Sequence, residues 1–232
     1  MSNDKSSKDI EKANAARRAV EMVRDGQVVG LGTGSTAIMA INELGKRVAA
    51  GLKIRGVATS VATHRLAVQL GIPMIDLDAV GATDITIDGA DQIDPAFDMI
   101  KGGGGALVRE KLVAIRSMSE VIVIDSSKQV KHLGAPWSLP VEVLKFAWRH
   151  TASSLGALGS APTLRKGPDG PFESDNGNYI LDCEFGVIDE APYLERTIKL
   201  IPGVVECGLF IRLAAVLVVG IADGAKVIQC VP

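Results

Sequence analysis

The sequence predicts an α/β fold with an open, mainly parallel sheet, and three observations support this class. Apolar residues make up 47% of the 232 residues but aromatic residues only 4%, so Val, Ile, Leu and Ala build the core. Such a core suits parallel strands that are covered by helices. Short apolar or β-branched runs alternate with helical patterns, and several of these runs end in polar, glycine-rich loops. Repeated strand–loop–helix units favour a parallel sheet.

The first part of the chain contains most of these units. The predicted elements are a helix at 8–24, a strand at 27–31, a helix at 36–48, a strand at 53–58, a helix at 63–70, strands at 74–77 and 84–88, a helix after the glycine loop to about 117, and a strand at 120–125. Because ligands bind at the carboxyl ends of strands in open α/β sheets, we expect the loops after these strands to converge on one site.

The order of elements changes near residue 134. Here the predicted elements are a strand at 139–144, a helix at 145–158, strands at 162–165 and 179–185, a helix at 189–200 and a strand at 204–209. This β-α-β-β-α-β order is that of a ferredoxin-like unit. Two further strands, at 213–219 and 226–230, are expected to rejoin the first sheet. We therefore predict a domain with an open parallel α/β sheet at 1–133 and 207–232, with a smaller ferredoxin-like α+β domain at 134–206.

Charge and composition exclude several classes of protein. The net charge of −2 argues against nucleic acid as the main partner, and no run of apolar residues is long enough to span a membrane. The first residues are polar, so no secretory signal is expected. Three cysteines are scattered without metal-ligand spacing, which indicates free thiols in a reducing compartment. These features predict a cytoplasmic protein.

The most informative segment is a run of four glycines. Lys101 precedes Gly102, Gly103, Gly104 and Gly105, and a predicted helix follows. Glycine lets a ligand approach the main chain, and successive N–H groups near a helix start attract anions. The carboxylate of Glu110 follows in that helix and would repel a bound phosphate. A carboxylate beside an anion site therefore suggests a base.

Glu110 lies in a helix whose other residues are nearly all apolar. Such a helix is usually buried, so at least one of the charges of Arg109, Glu110 and Lys111 is expected inside. Burial favours the neutral form of a carboxylic acid and so suits a general base. The alternative is a structural ion pair among the three side chains.

A second glycine-rich loop opens the predicted helix at 36–48. It contains Thr33, Gly34, Ser35 and Thr36, whose N–H and hydroxyl groups suit a phosphate monoester. The segment half-matches a dinucleotide fingerprint, but the next strand ends without the acidic residue that would hold a ribose. A plain tight turn is the remaining alternative.

Two carboxylates follow the predicted strand at 84–88. Asp88, Gly89, Ala90 and Asp91 form a turn, with Asp94 shortly after it. Turn formation or helix capping is one interpretation of these aspartates, and a divalent-cation site is another. The nearby glycine loop and Lys101 favour contact with sugar hydroxyls or acid–base chemistry.

The other candidate residues carry weaker signals. Lys128 follows the strand at 120–125 and suits a phosphate, or is simply a solvated lysine. His64, His132 and His150 lie on separate elements, and structural roles are expected for them.

Together these residues resemble one family, the type A ribose-5-phosphate isomerases. The motifs that carry the resemblance cover nearly the whole chain in family order: Gly30-Leu-Gly-Thr-Gly-Ser-Thr-Ala37, Ile87-Asp-Gly-Ala-Asp91, Lys101-Gly-Gly-Gly-Gly-Ala106 with Arg109-Glu110-Lys111, Ser127-Lys128-Gln-Val130, Leu139-Pro-Val-Glu-Val143, Asp175-Asn-Gly-Asn178 and Ile201-Pro-Gly-Val-Val205. One small departure is Gly105, where many relatives have alanine, and we expect it to be harmless.

The resemblance implies interconversion of D-ribose 5-phosphate and D-ribulose 5-phosphate, a step of the non-oxidative pentose phosphate pathway, without metal or organic cofactor. It implies that Glu110 moves a proton between two carbons through an enediolate. It assigns substrate contacts to Thr33–Thr36, Asp88–Asp91, Lys101–Gly104 and Lys128, and also to Lys12 on the first helix. The division of roles between Asp88 and Asp91 stays open. The family further implies that the larger domain is Rossmann-like, that the smaller domain is a lid, and that the protein is a homodimer or homotetramer.

The rival functions are a different sugar-phosphate isomerase or an aminosugar-phosphate deaminase of the same superfamily and, from another class, a non-catalytic sensor. An aminosugar-phosphate deaminase would be expected to have a histidine in these loops, and none is present. A non-catalytic sugar-phosphate sensor of transcription would need a DNA-reading module, and the chain offers no basic helix-turn-helix segment.

Overall fold

A computed structural model describes the backbone of residues 2–230 and the side chains of residues 7–230. The helices are α1 Ser2–Val20, α2 Ser35–Ala49, α3 Val61–Gln69, α4 Leu77–Val80, α5 Leu107–Ala114, α6 Trp148–Gly156 and α7 Ala191–Lys199, with a 3-10 turn at Ser126–Lys128. The strands are β1 Val28–Leu31, β2 Arg55–Ala58, β3 Ile85–Asp88, β4 Gln92–Ile93, β5 Met99–Ile100, β6 Glu120–Asp125, β7 Leu133–Gly134, β8 Leu139–Val143, β9 Ala161–Leu164, β10 Lys166–Gly167, β11 Gly170–Pro171, β12 Tyr179–Glu184, β13 Val187–Ile188, β14 Val204–Cys207, β15 Leu209–Phe210, β16 Val216–Ile221 and β17 Gly224–Gln229.

The described chain forms two compact units. The first unit contains the residues up to Ala90, Arg109–Lys128 and the residues from Leu213 onward. It is built on a six-stranded sheet in the order β17-β16-β6-β3-β1-β2. All neighbours pair in parallel except β16 and β17, which form an antiparallel hairpin. The predicted α/β fold with a mainly parallel sheet is confirmed.

The central strands of this sheet are apolar because both of their faces are covered. All six residues of β6 are buried, as are all four of β1 and of β3. Parallel strands in an interior read as continuous apolar runs for this reason. Because β1, β2, β3 and β6 are parallel, the loops that follow them all leave the sheet at the carboxyl ends of the strands. The predicted loops that begin at Gly32, Thr59, Asp88 and Asp125 all start there.

Helix α1 packs on the first unit through small side chains. Ala15, Ala16 and Ala19 are completely buried. The carboxylate of Glu11 accepts hydrogen bonds from the N–H and the hydroxyl of Ser126, at 2.9 and 2.8 Å. This contact ties the helix to the turn that contains Lys128.

The second unit contains Asp91–Val108 and Gln129–Arg212. Its main sheet has the order β14-β8-β12-β9, with antiparallel pairing throughout. Along the chain its elements follow the order β8-α6-β9-β12-α7-β14, the predicted β-α-β-β-α-β order. Its core is formed by buried residues of these strands and helices, among them Leu139, Val141, Leu155, Leu181 and Ile198.

The limits of the two units differ from the predicted ones at 134 and 206. The glycine segment belongs to the second unit because β5 pairs with β15 and with β4. The N–H of Lys101 also donates to the carbonyl of Gly208, at 2.9 Å. These strands are only two residues long, and so short a strand leaves no periodic pattern in the sequence.

One further difference concerns a single element. The strand predicted at 74–77 is reduced to one bridge between Gly56 and Met74, and the chain turns into α4 at Leu77.

Within the described chain, no helix is both long enough and apolar enough to cross a membrane.

Candidate active site

The glycine-rich loop after β1 leads into the N-terminus of α2. Helix α2 begins at Ser35, and Gly34 is its N-cap residue with φ of +110°, a conformation that favours glycine. Glycine has no side chain to occupy the N–H groups of the first helical turn. Those donors and the helix dipole are therefore available to an anion. Thr36 is buried at the start of this helix, whereas Ser35 is exposed.

A cluster of hydroxyl groups lies behind this loop. The hydroxyl of Thr33 donates to Ser60 Oγ at 2.9 Å and lies 2.8 Å from Thr59 Oγ1. Thr63 donates its hydroxyl to the carbonyl of Gly32 at 2.8 Å, and its N–H donates to Ser60 Oγ at 3.0 Å. The cluster fixes the shape of the loop. The contact of Thr63 with this loop was not predicted, because a threonine inside a helical pattern carries no signal of such a contact.

Asp88 joins the end of β3 to the same loop. Its side chain is 1% exposed, and Oδ1 accepts hydrogen bonds from the N–H groups of Thr33 at 3.0 Å and Gly89 at 2.7 Å. A Cβ atom on Gly32 would lie 2.2 Å from that oxygen. Gly32 is therefore required for the carboxylate to lie beside the loop.

Glu110 is buried in the first turn of α5, with an exposed fraction of 5%. The prediction that at least one charge of Arg109, Glu110 and Lys111 lies inside is confirmed, since Glu110 and Lys111 are buried and Arg109 is half-buried. The helix as a whole is not enclosed, because Leu112 within it and Ile115 just after its end are about half exposed. The buried face thus includes a carboxylate, while apolar side chains stay outside.

Lys128 and Lys12, the two lysines that are candidates for binding the phosphate, also belong to the first unit. Lys128 ends the 3-10 turn after β6 and is half-buried. Lys12 lies on α1, one residue after the Glu11 that binds this turn. Its ammonium is 3.8 Å from the carboxylate of Asp9 on the same helix.

In the second unit, Asp91 lies against the glycine loop. Its Oδ2 accepts a hydrogen bond from the N–H of Gly103 at 2.7 Å. A Cβ atom on Gly103 would lie 2.8 Å from the carboxylate, so only glycine allows this approach. Gly103 and Gly104 are exposed, whereas Gly102 and Gly105 are buried. The loop therefore presents its two middle residues to solvent.

Lys101 is almost completely buried, at 2% exposure. Its ammonium lies 5.4 Å from the centroid of the Phe210 ring, on the strand that pairs with β5. Buried lysines are rare and are held by specific partners. The position of Lys101 is set by its backbone, which leads into the glycine loop.

Other candidates have structural roles. Asp94 Oδ1 accepts hydrogen bonds from the N–H groups of Ala96 and Asp98, at 2.9 and 3.0 Å, which is the turn chemistry left open above. Gly105 has φ of +83°, and a Cβ atom there would lie 2.4 Å from Cζ of Phe172. In this chain, alanine at position 105 would force the ring to move, so glycine at this position is tied to the packing of Phe172.

Among the described residues, one group of three has the spacing of metal ligands, and it lies in the second unit. It consists of Glu195, Glu206 and Cys207. No predicted site residue belongs to it. Lys199 pairs with Glu206 and supplies a structural partner for this carboxylate.

Comparison with known proteins identifies the family. Residues 55–224 match the model of the family described as ribose 5-phosphate isomerase A, or phosphoriboisomerase A. A protein of Thermomicrobium roseum with the name ribose-5-phosphate isomerase A is 50% identical over 94% of this chain and 93% of its own length. The solved structure of the ribose 5-phosphate isomerase A of Methanocaldococcus jannaschii has a TM-score of 0.90 at 41% identity, covering 94% of this chain and 97% of its own. A second structure, of a D-ribose-5-phosphate isomerase in complex with phospho-erythronic acid, has a TM-score of 0.91 at 37% identity, over 94% and 97% of the two chains. The chain belongs to the ribose 5-phosphate isomerase A family.

Proposed function

We propose that this protein interconverts D-ribose 5-phosphate and D-ribulose 5-phosphate by proton transfer through an enediolate. The observation that carries the proposal is the buried carboxylate of Glu110, in the helix that directly follows the Lys101–Gly105 loop. Relatives with the isomerase name match at up to 50% identity over most of the chain, which supports the choice of substrate.

The phosphate is assigned to the loop after β1. The N–H groups of the first turn of α2, together with the hydroxyls of Thr33, Ser35 and Thr36, donate to phosphate oxygens. Lys128 and Lys12 supply positive charge. Since the phosphate does not react, its binding energy serves to orient the sugar carbons.

The proton transfer needs a base at carbon and donors at oxygen. In this account Glu110 removes the proton from C2 of the open-chain aldose and returns it to C1. A hydroxyl proton leaves O2 and another reaches O1, so the C1 carbonyl becomes a hydroxyl and the C2 hydroxyl becomes the carbonyl of the ketose. Lys101 and the N–H of Gly104 in the exposed part of the glycine loop stabilise the negative charge on the two oxygens. We propose that these groups act on one substrate molecule, because the chain runs from Lys101 through the glycines directly into the helix of Glu110.

The two aspartates are assigned to the hydroxyl protons and to opening of the furanose ring. Asp88 is fixed by two backbone N–H groups and Asp91 by one. A carboxylate held in this way keeps its orientation while a proton passes to or from its second oxygen. We assign the enediolate hydroxyl proton to Asp88 and ring opening to Asp91.

The proposed reaction moves protons only and leaves the oxidation state of the whole sugar unchanged. Its steps therefore need no net oxidant or reductant, and in this account Lys101 and the loop backbone act at the oxygens where a metal ion would otherwise serve. The homodimer or homotetramer, the lid role of the second unit and the cytoplasmic location stay predictions, and light scattering on the purified protein decides the first of them.

The direct test incubates the purified protein with ribose 5-phosphate in the presence of EDTA. We expect ketose to form at the same rate with and without the chelator. A protein that forms no ketose would rule out the isomerase, and loss of activity in EDTA would show that the aspartates need a metal.

A further inference from the structure

The second unit contains an arginine that binds the glycine loop from the side of its carbonyl groups. Nη1 of Arg165 donates to the carbonyl of Gly102 at 2.9 Å and to that of Gly103 at 3.2 Å. Arg165 is the residue between β9 and β10, and nothing in the sequence sets it apart from other surface arginines. The structure thus connects it to the main chain of two candidate site residues.

The guanidinium of Arg165 is held in place from several directions. Its Nε donates to Asp182 Oδ2 at 2.9 Å and its Nη2 to Asp182 Oδ1, which makes a two-pronged ion pair with β12. Its backbone is fixed as well, because its N–H donates to the carbonyl of Ile180 and its carbonyl accepts from Phe172. Its Cζ lies 5.7 Å from the centroid of the Phe172 ring. The donor that contacts the loop is therefore fixed before any ligand binds.

Because each peptide is planar, this contact with the carbonyl groups also fixes the direction of the loop N–H groups. In a planar trans peptide, the carbonyl of one residue and the N–H of the next point in opposite directions. By binding the carbonyl of Gly102, Arg165 directs the N–H of Gly103 away from itself, and this N–H donates to Asp91 at 2.7 Å. By binding the carbonyl of Gly103, it directs the N–H of Gly104 the same way. Peptides between glycines rotate easily, so hydrogen bonds from outside the loop are needed to fix their orientation.

We propose that Arg165, held by Asp182, is a positioning residue that fixes two peptides of the glycine loop, so that the Gly103 N–H stays on Asp91 and the Gly104 N–H stays aimed at the oxygens of the enediolate. This inference rests on the proposed isomerase reaction. Arg165 itself does not touch the substrate in this account. Fixed donors at a developing oxyanion contribute more than donors that must reorient during the reaction.

The geometry requires arginine rather than any cation. A guanidinium has five N–H donors in one plane, so it binds a carboxylate with two donors and carbonyls with a third. A lysine ammonium has three donors at one nitrogen and cannot reach both sets at the observed spacing. Arg165→Lys therefore keeps the charge but removes the simultaneous contacts.

The test compares two ligands by calorimetry. Phospho-erythronic acid carries a planar carboxylate that resembles the two oxygens of the enediolate, whereas inorganic phosphate probes only the phosphate loop of the first unit. In Arg165→Lys we expect the Kd of phospho-erythronic acid to rise at least about tenfold and kcat to fall by a similar factor. The Kd of inorganic phosphate should stay within about twofold of the wild-type value, with an unchanged number of binding sites.

Two further variants sharpen the result. Arg149→Lys is the matched control, because Arg149 lies in the same unit with its guanidinium 4.8 Å from the Trp148 ring, and we expect wild-type binding of both ligands. Asp182→Asn should shift the Kd of phospho-erythronic acid in the same direction as Arg165→Lys. Since Asp182 acts through Arg165, the double variant should be no worse than Arg165→Lys alone.

Wild-type Kd and kcat in Arg165→Lys would overturn the inference. So would a loss in the number of binding sites with unchanged Kd for both ligands, which would indicate a role in folding alone. The proposed function is judged separately, because a wild-type protein that forms no ketose from ribose 5-phosphate would remove the reaction itself.

Discussion

The N–H of Thr33 donates a hydrogen bond to Asp88 Oδ1 over 3.0 Å, joining the loop after β1 to the end of β3. The same oxygen accepts from the N–H of Gly89. One carboxylate oxygen therefore organises the backbone of two candidate substrate loops.

This arrangement separates two variants of Asp88. Asparagine keeps an oxygen for both N–H groups, so Asp88→Asn should preserve KM within about threefold while kcat falls at least about tenfold. Asp88→Ala removes the acceptor as well and should also raise KM. Steady-state kinetics with ribose 5-phosphate measure both parameters.

Asp84 offers a matched control for these variants. Its Oδ2 accepts a hydrogen bond from the N–H of Val28 at 2.7 Å, at the amino ends of β3 and β1. Asp84→Asn should leave both kinetic parameters near wild type. Equal kcat in Asp88→Asn and wild type would contradict a proton-transfer role for Asp88.

A second prediction concerns Gly32. Alanine at this position would place Cβ 2.2 Å from Asp88 Oδ1 and 2.6 Å from its Cα, which is backbone and cannot move aside easily. We expect Gly32→Ala to raise KM for ribose 5-phosphate at least about tenfold and to lower Tm, since the phosphate loop must shift.

Gly26→Ala controls for the cost of alanine at a glycine position. Gly26 has φ of +85° and open space around it, so alanine there should cost only about 1 kcal/mol of backbone strain. KM should not change in this control. A wild-type KM in Gly32→Ala would show that the loop after β1 does not bind the phosphate.

Lys128 supplies a third prediction. If it binds the phosphate, Lys128→Met removes a charge-assisted hydrogen bond that is worth about 1.5–3 kcal/mol, so KM should rise roughly 10- to 100-fold. The salt dependence of KM should become weaker in the variant. The exposed Lys46, which pairs with Glu43 on α2, is the control, and Lys46→Met should behave like wild type. A similar KM in both variants would mean that Lys128 is a solvated lysine that does not bind the phosphate.

The thiols give a prediction about pH. Burial raises the pKa of the Cys183 thiol to about 12, and Cys183 and Cys207 are completely buried. Burial also raises the pKa of the Cys230 thiol, which is only half-buried. Because the thiolate is the reactive form, a raised pKa slows reaction at neutral pH, and the rate should increase as pH rises toward that pKa.

Titration with a thiol reagent at pH 7, 8 and 9 measures this behaviour. In the native protein we expect at most one thiol to react, with a rate that increases with pH, and all three to react after unfolding. Cys230→Ser should abolish labelling of the native state. Rapid labelling of two or more thiols at pH 7 would contradict the burial of Cys183 and Cys207.

The sequence was sufficient for the α/β class because the decisive strands are apolar on both faces. The strand predicted at 120–125 has the observed limits, since Val121 to Ile124 form an uninterrupted buried run. The segment at 74–77 also contains apolar residues, but only Met74 forms a bridge to the sheet. An isolated apolar run does not distinguish a strand from a short packed loop.

The candidate site was predictable where chemistry requires particular residues at short spacing. The buried Glu110 and the loop of Gly34 are of this kind. The hydroxyl of Thr63 and the guanidinium of Arg165 were not predictable, since each contacts the loops from a distant position in the chain. Their identities are ordinary for their elements, and only the packing of the folded chain reveals the contact.

The role of Glu110 is the central claim, and proton exchange in D2O tests it most directly. By NMR, the wild-type protein should convert ribose 5-phosphate to ribulose 5-phosphate and introduce deuterium at the carbon that exchanges its proton. Glu110→Gln should keep the fold and the affinity for inorganic phosphate, while turnover and exchange both fall at least about a hundredfold.

Glu120→Gln is the control, because Glu120 is another buried glutamate of the same unit but lies at the amino end of β6, away from the loops. We expect its turnover to stay within about threefold of wild type as long as the variant is folded. Turnover and deuterium exchange near the wild-type rate in Glu110→Gln would contradict the account.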